Sequence, residues 1–170
     1  SQRLLILAYH GVSLADEHEW SPELYLTRPA LRGRFELLRD DGYCVLPLRE
    51  AVERLQAGTL PPRSVALTFD DGTHDFLAAV PLLREFGFPA TVYVTSYYSD
   101  KQVPVFRMAC RYLLWAGRGQ GILGDGLTAS GGPLSLSTLD QRDAAVNAIE
   151  EHVVAQGGGV EREMATLRLL

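Results

Sequence analysis

The sequence predicts an α/β protein built on a parallel sheet or barrel. Three observations carry that reading. Short apolar runs alternate with helical stretches between Arg3 and Ser96, in the order strand, helix, strand, helix, strand, helix, strand, which is the pattern of parallel α/β folds. The first run, Arg3 to Tyr9, is continuously apolar, as expected of a strand covered on both faces. Two adjacent aspartates follow the third run, at the strand end where such folds gather their reactive groups.

Taken in order, "RLLILAY" (Arg3 to Tyr9) is the first strand, and the polar stretch Gly11 to Thr27 reads as a loop. "RPALRGRFELLRDDG" reads as a helix, with Pro29 in its first turn, Leu31, Phe35 and Leu38 on one face, and Gly42 as its stop. "YCVLPL" (Tyr43 to Leu48) is the second strand, and "REAVERLQAG" a helix with Val52 and Leu55 facing inward. "SVALTFD" (Ser64 to Asp70) is the third strand. Asp75 to Phe86 is helical, with Pro81 either kinking it or opening its second part. "PATVYVTS" (Pro89 to Ser96) is the fourth strand.

The alternation then stops. Val103 to Gly117 reads as a helix, and the Gly-rich stretch Gly117 to Leu136 as a small hairpin. "STLDQRDAAVNAIEEHVVAQ" is a helix capped by Ser137, with Leu139, Val146, Ile149 and Val153 inward. A last helix places Val160, Met164 and Leu167 inward. We therefore expect one domain over 1–170, with residues 1–96 forming the barrel part and 97–170 a helical insertion or extension.

Composition narrows the function classes. A formal net charge of -5 argues against nucleic acid as a partner, since phosphate binding needs a basic footprint. No apolar run reaches membrane-spanning length. Cys44 and Cys110 are too few for a disulfide framework or a cysteine zinc site and are expected to be buried and inert. The Gly-rich stretch lacks the Lys-Ser/Thr ending of a phosphate-binding loop. Composition leaves the oligomeric state open.

The aspartate pair, Asp70 and Asp71, is the strongest chemical signal. Carboxylates this close do not both ionise cheaply without a cation. With a metal, one can ligate while the other serves as general base on a bound water. The competing reading is a turn that caps a helix, because Asp-Gly is a common turn pair. Gly72 permits the sharp turn that aims both side chains at the mouth of the fold.

"TFDDG" (Thr68 to Gly72) after an apolar strand resembles the first motif of the polysaccharide deacetylases, the NodB-homology group of carbohydrate esterase family 4. "ILAYHGV" (Ile6 to Val12) is similar to their first strand, and "LLREFGFPATVYV" (Leu82 to Val94) to the helix and strand after the motif. The resemblance spans about Leu4 to Ser96. It implies a distorted (β/α) barrel, here incomplete, with about four parallel strands and a mostly helical C-terminal segment. It implies a hydrolase that removes N-acetyl groups from an N-acetylated polysaccharide or other amino-sugar glycan, its carbohydrate substrate. By the resemblance Asp70 is the general base and Asp71 a ligand of a divalent metal, zinc in most members.

Other features of the family are not found. Its second motif is His-x-x-x-His, and none of His10, His18, His74 and His152 has that spacing. Two explanations stay open. The chain is the N-terminal part of a longer domain, with Gly117 to Leu170 inserted before the second motif, or the fold has lost its metal and acts as a carbohydrate-binding or assembly module. Candidate contacts at the site mouth are Tyr9, His10, Gly72 and His74. His10 reads as a metal ligand or substrate contact or, by preference over direct ligation, as a histidine hydrogen-bonded at a strand end. His18 and His152 are expected in solvent. Trp20, Tyr25, Tyr97 and Tyr98 lie in expected loops, where aromatics can stack on sugars or bury part of their rings.

Overall fold

The computed structural model describes residues 3–170. These residues form two compact units, one ending at Thr95 and the other running from Ser96 to Leu170.

The first unit is α/β, as the alternation predicts. Its elements are β1 (Leu4–Tyr9), β2 (Gly11–Val12), α1 (Glu17–Trp20), β3 (Tyr25–Leu26), α2 (Arg28–Asp40), β4 (Cys44–Val45), α3 (Leu48–Gln56), β5 (Ser64–Phe69), a 3₁₀ turn at His74–Ala78, α4 (Val80–Phe86) and β6 (Ala90–Val92). β1, β4, β5 and β6 form a four-stranded parallel sheet centred on β5. β1 pairs along all of β5, from Leu4↔Ser64 to Tyr9↔Phe69. β4 meets the start of β5 at Cys44↔Ser64, and β6 meets its end at Phe69↔Val92, so these two short strands share the other side.

Side-chain size explains this centre. Every residue of β5 is buried. With period 2, Val65, Leu67 and Phe69 face one way, into a core with Leu31, Phe35 and Leu38 of α2 and Leu82 and Leu83 of α4. Ser64, Ala66 and Thr68 alternate onto the other face, where Ala66 packs with Ala51 and Leu60. α2 forms as read: Thr27 caps it through Ala30 N at 3.3 Å, and Leu31, Phe35 and Leu38 are its buried face.

Several expectations need correction. β1 is not covered on both faces: Leu5 and Ile6 remain about half exposed, and among the described residues β1 is an edge strand that pairs with β5 alone. The second and fourth strands shorten to two and three residues. In α3 the buried residue is Ala51, whereas Val52 and Leu55 are exposed. That face of β5 offers only small side chains, so the close contact goes to an alanine and the larger residues turn to the rim. Of the two readings of Pro81, the second holds: it opens α4 after the 3₁₀ turn. The 11–27 segment is not a plain loop: Gly11↔Tyr25 and Val12↔Leu26 pair as a small parallel ladder, with α1 between.

The second unit is helical: α5 (Ser96–Lys101), α6 (Phe106–Ala116), α7 (Leu139–Ala155) and α8 (Val160–Leu167). Phe106, Cys110 and Leu114 pack with Val146, Ile149 and Val153, closed by Leu127 and Leu136. Arg107 pairs with Glu150, and Arg111 with Asp143 at 3.0 Å, tying α6 to α7. α7 is capped by Thr138, not Ser137, because Gln141 lies three residues on and completes a reciprocal capping box. Its expected inward residue Leu139 is only half-buried. The expected hairpin reduces to an antiparallel bridge, Leu123↔Pro133. Cys110 is buried, which pushes its thiol up to about 12, and Cys44 is half-buried; both are free. Among the described residues no helix is long and apolar enough to cross a membrane.

Candidate functional site

β5 delivers the aspartate pair. Its ladder with β1 continues one residue past the strand, where Asp70 N donates to Tyr9 O at 2.8 Å. Asp70 is half-buried and Asp71 exposed, directly beyond the end of the sheet's central strand. Asp71 and Gly72 both adopt left-handed backbone, with φ of 68° and 61°. That conformation costs a non-glycine residue about 1–2 kcal/mol, least for Asp and Asn. Gly72 is needed for a second reason: a Cβ there would lie 2.9 Å from Val94 Cγ2 and 3.2 Å from Val94 Cα. Gly72 N donates to Asp70 O at 2.9 Å, and Thr95 donates to Asp71 O through both its amide (3.2 Å) and its hydroxyl (2.8 Å).

Asp75 is a residue that the sequence reading missed. It is buried, and its Oδ2 accepts from Val12 N at 3.0 Å. This bond joins β2 to the 3₁₀ turn that follows the aspartate pair. Gly11 lets the two segments meet, since a Cβ there would stand 2.3 Å from Tyr25 Cε1 and 2.6 Å from Asp75 Oδ2. The signal available in the sequence was the aspartate four residues after Asp71, but a carboxylate in a first helical turn is ordinary capping chemistry.

The other candidates take different places. Tyr9 is buried against Phe69, ring centroids 5.3 Å apart, with the Arg34 guanidinium 5.7 Å from its own centroid. Burial raises its phenol above the usual range, and the Arg34 hydrogen bond and charge partly oppose this. His10 is half-buried and lines a hollow of about 150 Å³ with Tyr9, Glu23, Tyr25 and Arg34. His74 is exposed at the start of the 3₁₀ turn. His18 and His152 are half-buried rather than in solvent, contacting Ser13 Oγ at 3.1 Å and Gln156 Nε2 at 2.6 Å. Trp20 is buried in α1 with its ring tilted against Tyr25, centroids 5.7 Å apart, while Tyr97 and Tyr98 form an edge-on pair in α5.

The implied metal can be tested against these residues. A catalytic zinc takes three protein ligands and keeps a position open. Among the described residues, no three His, Cys, Asp or Glu side chains gather to hold an ion. Asp71 supplies one carboxylate, so these residues do not by themselves fit the group.

Tyr25 reports on the electrostatics of the turn. Burial first, then the charges of Asp75, Glu17 and Asp71, push its phenol up to about 12. An unfolded tyrosine ionises near ~10, so between these values the unfolded chain has lost a proton that the native state retains. The stability contributed by Tyr25 is therefore complete below about pH 10 and disappears as the pH rises toward 12. Asp75→Asn, whose amide oxygen can still accept from Val12 N, should bring Tyr25 ionisation to lower pH. The measurement is the tyrosinate absorbance, read as the difference from Tyr25→Phe. An unchanged titration would remove Asp75 from the site's electrostatics.

An open parallel sheet whose central strand ends in a strained Asp-Asp-Gly turn defines an α/β unit with its candidate site at a strand end. Residues 57–114 match the family model described as polysaccharide deacetylase. The chain is 35% identical over 86 residues to the poly-β-1,6-N-acetyl-D-glucosamine N-deacetylase of Escherichia coli (strain K12), covering 49% of this chain and 12% of that protein. It is 31% identical over 94 residues to YxkH of Bacillus subtilis (strain 168), whose assignment as a polysaccharide deacetylase is provisional, covering 54% of this chain and 32% of that one. In fold it is similar to a de-N-acetylase from Aggregatibacter actinomycetemcomitans, with a TM-score of 0.52 at 21% identity, over 78% of this chain and 61% of that one. These matches bear out the resemblance: the stretch around TFDDG is similar to polysaccharide deacetylases. The family match starts later than Leu4 and runs past Ser96 into α6, so its bounds differ from those read in the sequence. The chain spans about an eighth and about a third of the lengths of these two curated relatives.

Proposed function

We propose that the protein is a hydrolase that removes N-acetyl groups from an N-acetylated amino-sugar polysaccharide, and that its complete domain is a distorted (β/α) barrel. The observation that carries the reading is the position of Asp70 and Asp71, beyond the end of a fully buried central strand and on a turn pinned from both sides. Asp70 is the general base. It takes a proton from water as the oxygen attacks the acetyl carbonyl carbon; the C–N bond then breaks, acetate leaves, and the sugar amine gains a proton. Asp71 is the proposed ligand of a divalent metal, zinc by resemblance. One carboxylate does not make a site, so no step is drawn through the ion.

The polymer named in the E. coli relative supplies the first substrate to try. The intact protein, incubated with β-1,6-linked poly-N-acetylglucosamine, should release acetate. Chelation should stop the release, and a divalent metal should restore it. Glycan binding without any release of acetate would overturn the reading in favour of a carbohydrate-binding module.

A further inference from the structure

We propose that Thr95 is a positioning residue for the aspartate pair, and that its hydroxyl holds the strained turn from which Asp71 projects. The catalytic consequence rests on the deacetylase reading; the clamp itself does not.

Asp71 keeps a left-handed φ of 68°, and Gly72 follows at 61°. Strain of this kind persists only where the surroundings over-determine it. Here those surroundings can be named. On one side Asp70 N is tied to Tyr9 O at 2.8 Å. On the other, Thr95 sends two donors to a single acceptor, its amide at 3.2 Å and its hydroxyl at 2.8 Å, both to Asp71 O. Two donors converging on one carbonyl fix the plane of the Asp71–Gly72 peptide. With the Asp70 amide also held, the Cα–Cβ direction of Asp71 follows from the backbone. Val94 closes against Gly72 in the space that a Cβ would fill. Thr95 is itself placed by the ladder, since Tyr93 N donates to Phe69 O at 2.8 Å just beyond β6. Thus the segment just beyond β6 grips the one just beyond β5, at the residue on which the candidate chemistry depends. Only Ser or Thr supplies that hydroxyl on so short a stem.

The test compares Thr95→Val, which keeps the shape and loses the hydroxyl, with Thr95→Ser, which keeps the hydroxyl. Amide hydrogen exchange at Gly72 reads the turn directly, because that amide bonds to Asp70 O inside it. Exchange should quicken about tenfold in the valine variant and stay within about twofold of the parent in the serine variant. Equal exchange in all three proteins would overturn the clamp. In turnover, Thr95→Val should lower kcat about tenfold with KM unchanged, and Thr95→Ser should restore it. Parental kcat in the valine variant would overturn the positioning role. A parent protein that releases no acetate would instead defeat the deacetylase reading, and the exchange rates would still decide the clamp.

Discussion

Asp70→Asn should lower acetate release about a thousandfold, in the middle of the range for losing a general base. The variant keeps the size of the side chain and removes its ability to take a proton. It should leave the fold intact, because the bond that places residue 70 is the backbone contact from its amide to Tyr9 O, which the substitution does not touch. The comparison is acetate release against the urea midpoint of the same protein. Full activity in the variant would remove Asp70 as the base. Loss of activity together with a lowered midpoint would show that the carboxylate serves the fold. Asp71→Asn is the companion case. Asn tolerates left-handed φ as well as Asp does, so the 68° at this position gives no reason for that variant to unfold.

The second large effect lies away from the aspartate pair. Gly11→Ala should destabilise the protein by about 3 kcal/mol, the sum expected from overpacking a closed site and weakening a buried hydrogen bond to a carboxylate. Gly11 is itself buried, and the added methyl would overlap the Tyr25 ring at 2.3 Å and Asp75 Oδ2 at 2.6 Å. Neither neighbour can give way freely. The Tyr25 ring lies tilted against Trp20, and Asp75 is bonded to Val12 N. Urea unfolding measures the change. A variant as stable as the parent would mean that Tyr25 swings clear, and that the contact between β2 and the 3₁₀ turn is looser than its geometry suggests.

Much of the first unit was legible because period and composition agree there. β5 alternates Val65, Leu67 and Phe69 with the small residues Ser64, Ala66 and Thr68, and it is buried on both faces. α2 combines a Thr cap, a proline in its first turn and a clean apolar face, so each signal points to the same helix. The errors fall where tertiary context decides. β1 is more apolar than β5, and nothing local in "LLILAY" marks it as an edge strand. Val52 and Leu55 form a sound helical stripe, yet Ala51 wins the contact because β5 presents Ala66 there. At the site, the Asp-Asp-Gly motif was legible as a motif. Its supports were not: Thr95 lies 24 positions from Asp71, and Asp75 bonds across 63 positions to Val12. Partners at such separations leave no trace in periodicity, and neither a threonine after a strand nor an aspartate in a helical turn is unusual by itself.

The pairing of β5 has a consequence for how the chain comes to be folded. β1 and β4 bond to β5 and not to each other, so among the described residues neither has a sheet partner until Ser64–Phe69 has been synthesised. At typical elongation rates of ~5–20 residues per second, β1 waits several seconds for the strand that it will join. Throughout that interval "LLILAY" is an unpaired apolar segment with free backbone donors and acceptors, the kind of segment that nascent-chain chaperones cover. Sheet formation is then a late, long-range event, and the strand that carries the aspartate pair is also the one whose arrival permits it.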